Sequence, residues 1–254
     1  MFEVALHLAA LLCLAAFVAG FVDAIAGGGG LITVPALLLA GASPVETLAT
    51  NKLQGTFGAA TAAISFARAG HVDPRRQLWM ALISAVGGAV GALVAQAVPA
   101  DALRLIMPVV LVAVALFFAL KPGLTDAARA QRLRPAVFAM TVVPAIAAYD
   151  GFFGPGTGSF FMLGFVMLAG YGVLKATAHT KTLNFASNLG SLLVFVAFGG
   201  VWWVTGFAMA LAQIAGAVIG ARLAMRVGAR LIKPLLVLTS TALALRLLWQ
   251  AWSG

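Results

Sequence analysis

The sequence predicts an all-α polytopic membrane protein, organised as an inverted-topology repeat of two five-segment halves, each with a broken or re-entrant helix at a Gly-rich motif. Three observations lead there. Hydrophobic residues make up 63% of the 254-residue chain and charged residues 9%, at a mean hydropathy of +1.06, a composition far from that of a soluble globule. The apolar residues fall into ten runs. A glycine-rich signature occurs twice, as Gly27-Gly28-Gly29-Gly30 and as Gly154-Pro155-Gly156-Thr157-Gly158, and a lysine follows each at the same interval, Gly29 to Lys52 and Gly158 to Lys181.

In chain order the runs cover 4–26, 31–41, 46–67, 78–98 and 104–120, then 135–152, 158–170, 175–198, 202–225 and 231–252. This gives a first membrane repeat over 1–120, a basic linker over 121–134 and a second membrane repeat over 135–254. The run from Val4 to Val22 lacks the positive leader of a cleaved signal peptide and is expected to be retained. A helix needs roughly 20 residues to cross the hydrocarbon core. The runs 31–41 and 158–170 are shorter, so they predict half-helices or re-entrant arms beginning at the glycine-rich breaks. Non-helical backbone at membrane depth is tolerated where it is buried in protein or lines a water-filled cavity.

The duplication shows in register. The shift that takes Gly27 onto Gly156 also pairs Gly29 with Gly158, Ala40-Gly41 with Ala169-Gly170, Lys52 with Lys181, Gly70 with Gly199, Gly87 with Gly216 and Gly91 with Gly220. After a three-residue slip, Pro108 meets Pro234. Loop charge then orients the halves. Arg68, His71, Asp73, Arg75 and Arg76 make one first-half loop basic, whereas its counterpart, Gly199 to Thr205, is uncharged; the next pair of loops reverses the bias, with Asp101 facing Arg222, Arg226, Arg230 and Lys233. By the positive-inside rule equivalent loops face opposite sides, the linker is cytoplasmic and both termini are external. Trp202, Trp203, Trp249 and Trp252 then fall on the outer side as lipid anchors.

Sixteen Lys and Arg against seven Asp and Glu give a net charge of +9. This charge lies in short loops between apolar runs and reads as topology, so nucleic-acid binding is not expected. Cys13 is alone and His7, His71 and His179 are scattered, so neither a disulfide framework nor a metal site can be assembled. No cofactor is expected, and no convergent nucleophile and base marks an enzyme.

Half-helices beginning near Leu31 and Ser159 would each present unpaired N–H groups and a positive dipole end, a ready anion site. The candidate substrate-binding residues are therefore Gly27, Gly28, Gly29 and Gly30 with Gly156, Thr157 and Gly158. Lys52 and Lys181 lie several residues inside their runs, a depth of about 10 Å at 1.5 Å per residue. They would either snorkel to the interface or draw an anion inward. Asn51, Gln54, Asn184 and Asn188 on the same helices either donate hydrogen bonds to it or bond between helices. Asp23 and Asp150 precede the breaks as intramembrane carboxylates, placed for proton coupling, for capping the broken helix or for pairing with a lysine. His179 either relays protons or packs as a polar residue. The GxxxG spacings Gly87/Gly91 and Gly216/Gly220 predict close helix packing, and such faces offer a route to homo-oligomers.

Gly20-Phe21-Val22-Asp23-Ala24-Ile25-Ala26-Gly27-Gly28-Gly29-Gly30 and Ala49-Thr50-Asn51-Lys52-Leu53-Gln54, with Tyr149-Asp150-Gly151-Phe152-Phe153-Gly154-Pro155 and Lys175-Ala176-Thr177-Ala178-His179-Thr180-Lys181, resemble the motifs of the sulfite exporter TauE/SafE family, also called the 4-toluene sulfonate uptake permease family. The resemblance covers nearly the whole chain. It implies a carrier in the cell inner (plasma) membrane for small sulfur-containing anions: sulfite, thiosulfate or C2 organosulfonates such as sulfoacetate. Where the family has a run of glycines in the second half, this chain interleaves Pro155 and Thr157, so its geometry is expected to depart from that of the first half. A membrane potential negative inside favours anion exit by about 2.3 kcal/mol per charge per 100 mV, so an exporter needs no coupling ion. An anion channel, or a proton-coupled importer of another organic anion, would share many of these features.

Overall fold

A computed structural model describes residues 2–120 and 130–228. The expected segment 231–252, with Arg230, Lys233, Pro234, Trp249 and Trp252, lies outside the described residues, as does the linker over 121–129. All regular elements among the described residues are helical. They are α1 (Leu6–Ala26), α2 (Gly30–Leu39), α3 (Pro44–Arg68), α4 (Pro74–Ala97) and α5 (Ala100–Leu120), then α6 (Pro135–Phe152), α7 (Thr157–Met167), α8 (Val173–Phe198) and α9 (Trp203–Val227).

Five of these, α1, α4, α6, α8 and α9, are long and apolar enough to cross a membrane. By contrast, α2 and α7 have 10 and 11 residues. At 1.5 Å per residue each reaches about half of a core roughly 30 Å thick. α3 and α4 begin earlier than hydropathy alone suggests, because polar residues make their first turns. Ser43 and Glu46 form a reciprocal capping box with Pro44 at the first position, and the Asp73 carboxylate accepts from the Arg75 N–H ahead of the same kind of proline. α6 contains a π turn over Phe138–Val142 just before Pro144. A proline has no N–H to give and its ring crowds the preceding turn, and the widened turn accommodates both.

Packing crosses between the two stretches of chain. α1 lies on α9, α4 on both α6 and α8, and α3 on α8 and α9. The glycines in GxxxG spacing make these approaches close: a Cβ on Gly87 or Gly91 would collide with α6 backbone at Pro144 and Ala148, and one on Gly216 or Gly220 with α1 backbone at Phe17 and Phe21. The boundaries keep the register of the sequence as well, since the shift that carries the start of α3 at Pro44 to that of α8 at Val173 also carries Pro74 of α4 to Trp203 of α9. The large apolar side chains left exposed, such as Leu78, Leu82 and Val86 on α4 and Leu189 and Leu193 on α8, lie on helices that would face lipid.

Candidate functional site

Two chain breaks meet in the middle of this packing. The first follows α1, where Gly27 adopts φ 73° and ends the helix. The second precedes α7, where Gly154 and Gly156 adopt φ 95° and 84°. These left-handed conformations favour glycine. The breaks touch: the Ser159 hydroxyl donates to the carbonyls of Ala26 (3.0 Å) and Gly27, serving the last turn of α1 from the other half of the chain. Within the second break, Tyr149 Oη donates to the Pro155 carbonyl at 2.6 Å and Thr157 Oγ1 to that of Gly154 at 2.7 Å. The residues interleaved among its glycines thus carry its internal bonds.

Between the breaks lies a polar cavity of about 30 Å³. Of the residues expected at the site, Gly28, Gly29, Gly30, Asn51, Gly156, Thr157, Gly158, Asn184 and Asn188 line it, and so do Asp23 and Asp150. Gly27 sits just behind, its backbone against Gly158. Gln54 is buried at one remove, donating to Asn51 Oδ1 at 2.9 Å. Thr33 Oγ1 donates to the same oxygen at 2.6 Å, which fixes the Asn51 amide with its nitrogen beside Gly30. Asn188 donates to the Asn184 carbonyl at 2.7 Å, so this amide also bonds within its own helix. His179 stands away from the cavity, packed between the rings of Phe165 and Tyr171 at 5.5 and 5.0 Å.

Neither lysine lines the cavity. Lys52 and Lys181 are each 0% exposed, and each meets the aspartate of the opposite half. Lys52 on α3 donates to Asp150 Oδ1 of α6 at 2.7 Å. Lys181 on α8 donates to the main-chain carbonyl of Asp23 on α1 and stands 3.4 Å from its Oδ2. An unpaired ammonium or carboxylate here would be costly, and the crossed pairing neutralises all four charges.

The two carboxylates are held differently. Asp150 is 2% exposed, with its second oxygen accepting from the Ser187 hydroxyl at 2.6 Å. Asp23 is 8% exposed, and its Oδ1 accepts from the N–H groups of Gly28 (3.0 Å) and Gly29 (3.3 Å) at the start of α2. It occupies the anion position that a helix N-terminus creates. No N-cap side chain bonds the start of α7, where Gly156 stands.

Gly154, of the second glycine-rich motif, also lines the cavity, as do Gly55 and Gln213, which were not foreseen. Gln213, on α9, is 4% exposed, and its Oε1 has no hydrogen-bond partner among the described residues. A single amide within the apolar run 202–225 was the available signal. Gly55 lies one turn beyond Asn51 and is visible only once α3 is seen to pass the cavity.

A family model described as "Sulfite exporter TauE/SafE" matches residues 12–247. The chain belongs to this family. Among curated TauE/SafE-like relatives, a protein of Sinorhizobium sp. named "Probable membrane transporter protein ORF9" is 59% identical over 97% of this chain and 94% of its own length. A protein of Escherichia coli K12 named "Probable membrane transporter protein YfcA" is 44% identical over 99% of this chain and 93% of its own. A "Probable membrane transporter protein" of Haemophilus influenzae is 42% identical over 98% of both chains. No solved structure matches. This member of the TauE/SafE family is thus a membrane transporter, with its polar breaks gathered around one buried cavity.

Proposed function

We propose that the protein is a carrier, not an enzyme, that exports small sulfur-containing anions, such as sulfite or C2 organosulfonates, across the cell inner membrane. One observation carries the reading: the two glycine-rich breaks, far apart in sequence, share a single buried polar cavity flanked by one lysine from each half. Backbone N–H groups at the start of α2 and α7 and the Asn51 amide nitrogen offer the donors that sulfonate oxygens require. The family description supports sulfur anions as the cargo.

At about 30 Å³ the cavity has room for roughly two water molecules, a tight space for an anion of four or more heavy atoms. Binding therefore widens it. The inverted repeat read from loop charge supplies the motion, with the two halves rocking about a site near the bilayer midplane, both termini external and the linker cytoplasmic. The potential across the membrane drives outward whatever negative charge the loaded carrier keeps.

Calorimetry on the detergent-purified protein with sulfite, thiosulfate, sulfoacetate, taurine and acetate tests the reading. Selective binding of a sulfur anion is expected. Gly28→Ala should weaken it without unfolding the protein, because a Cβ there meets only Leu31 Cδ1 at 3.6 Å while Gly28 itself lines the cavity. Folded protein that binds none of the sulfur anions overturns the assignment.

A further inference from the structure

The charge that lines the cavity has the wrong sign for an anion carrier. Asp23 and Asp150 face it, whereas the ammonium groups of Lys52 and Lys181 stand behind them. A sulfur anion entering beside two carboxylates would be repelled unless one of them moved or lost its charge. The structure distinguishes the two. Asp150 is clamped by Lys52 at 2.7 Å and Ser187 at 2.6 Å. Asp23 holds Lys181 through a 3.4 Å side-chain contact, and its Oδ1 rests on two backbone N–H groups that any anion of suitable size would accept. It is also the more exposed to the cavity, at 8% against 2%.

We propose that Asp23 is a built-in anion that the substrate displaces, and that its carboxylate takes up one proton as it leaves. The proposal rests on the sulfur-anion reading above. The incoming anion accepts from the Gly28 and Gly29 N–H groups and sits beside Lys181, while a proton given up by the solution buffer passes through the water of the opened cavity to an Asp23 carboxylate oxygen. The new O–H requires an acceptor, and the cavity holds one: Gln213 Oε1, buried and without a partner among the described residues. The Gln213 side chain already packs against α1 at Gly20, three residues before Asp23. Lys181 of α8, Asp150 and Tyr149 of α6 and Lys52 of α3 are the ionisable groups around this exchange. α2, α7 and α9 add backbone and uncharged side chains to the cavity lining. A monovalent anion then crosses with its proton as a neutral pair, whereas a divalent one keeps a net charge for the membrane potential to act on.

The test is calorimetry on the full-length protein with methanesulfonate and thiosulfate, both permanently ionised near neutral pH, in buffers of matched pH and different ionisation enthalpy. Wild-type protein should take up one proton per anion, and its affinity should fall by about tenfold for each unit that the pH rises. Asp23→Asn should bind with no proton uptake and no pH dependence. Asp73→Asn, at the exposed start of α4 and outside the cavity, should keep both. Anion binding by the wild type without proton uptake across about pH 5–8, or uptake that persists in Asp23→Asn, overturns the proposal while leaving the carrier reading intact. If neither anion binds but sulfite or sulfoacetate does, the same measurement is made with the anion that binds; if no sulfur anion binds, the carrier reading falls and this proposal with it. Should Asp23→Asn fail to fold, Gln213→Leu, which removes the acceptor of the new O–H, should lower the proton uptake, and unchanged uptake there overturns the proposal.

Discussion

Both halves contain the same parts, a glycine break, an aspartate before it and a lysine after it, yet the second half is tied and the first is loose. Asp150 has a short ion pair and a serine hydroxyl. Asp23 has a long side-chain pair and two glycine N–H groups. The second break binds itself through Tyr149 and Thr157, where the first has only glycines. The two glycine motifs thus have different surroundings, with Asp150 held by side chains and Asp23 by backbone N–H groups of its own break.

The largest expected effect comes from breaking the rigid side. Lys52→Met leaves Asp150 buried without its cation and should cost about 3–5 kcal/mol of stability, with much of this recovered in Lys52→Met/Asp150→Asn. Asp23→Asn removes the looser pair while its amide oxygen can still accept from Gly28 and Gly29, for a loss of about 1–2 kcal/mol. Thermal unfolding in detergent measures both. Equal losses on the two sides would erase the distinction between them.

Next come the breaks. Gly27→Ala introduces a Cβ at φ 73° that runs into the backbone of Gly158 and Ser159. It should cost more than the roughly 1–2 kcal/mol that a positive φ exacts without a clash. Gly28→Ala, with neither penalty, should change stability by less than about 0.5 kcal/mol. A reversed order in the melting temperatures would mean that the two breaks do not rest against each other as described.

Much of this arrangement was legible in the chain. The helices, the short α2 and α7, the two breaks and most of the cavity lining follow from hydropathy and spacing, because lipid penalises every polar group not gathered inward. Pairing was harder to read. The sequence offered Asp23 a lysine as one partner among several, but that Lys181 takes Asp23 while Lys52 takes Asp150 depends on α8 reaching α1 and α3 reaching α6, which periodicity does not encode. The same crossing turned the lysines from expected cavity cations into counter-ions behind the carboxylates. Gln213 was hidden because a single amide in an apolar helix carries no sign of which cavity it will meet.

The smallest effect lies at the helix starts. α4 and α9 begin at equivalent points of the repeat register, but α4 is capped from its own loop by Asp73, whereas the Trp202 side chain gives α9 no cap. Glu3, from the beginning of the chain, serves instead, accepting from the N–H groups of Val204 (3.0 Å) and Thr205 (2.9 Å) and from the Thr205 hydroxyl (2.6 Å). Burial pushes its carboxyl up, but the bonds from Thr205 and Val204 outweigh that and hold it below its ordinary value of 4.5. A carboxyl lowered on folding stabilises the fold fully above its unfolded value and loses that contribution as pH falls through its folded one. Glu3→Gln should therefore lower stability by about 0.3–1 kcal/mol at neutral pH, and the gap to wild type should close below about pH 4.5. A gap that persists into acid would assign the Glu3 contribution to packing instead of charge, and α9, unlike α4, would then start without electrostatic help.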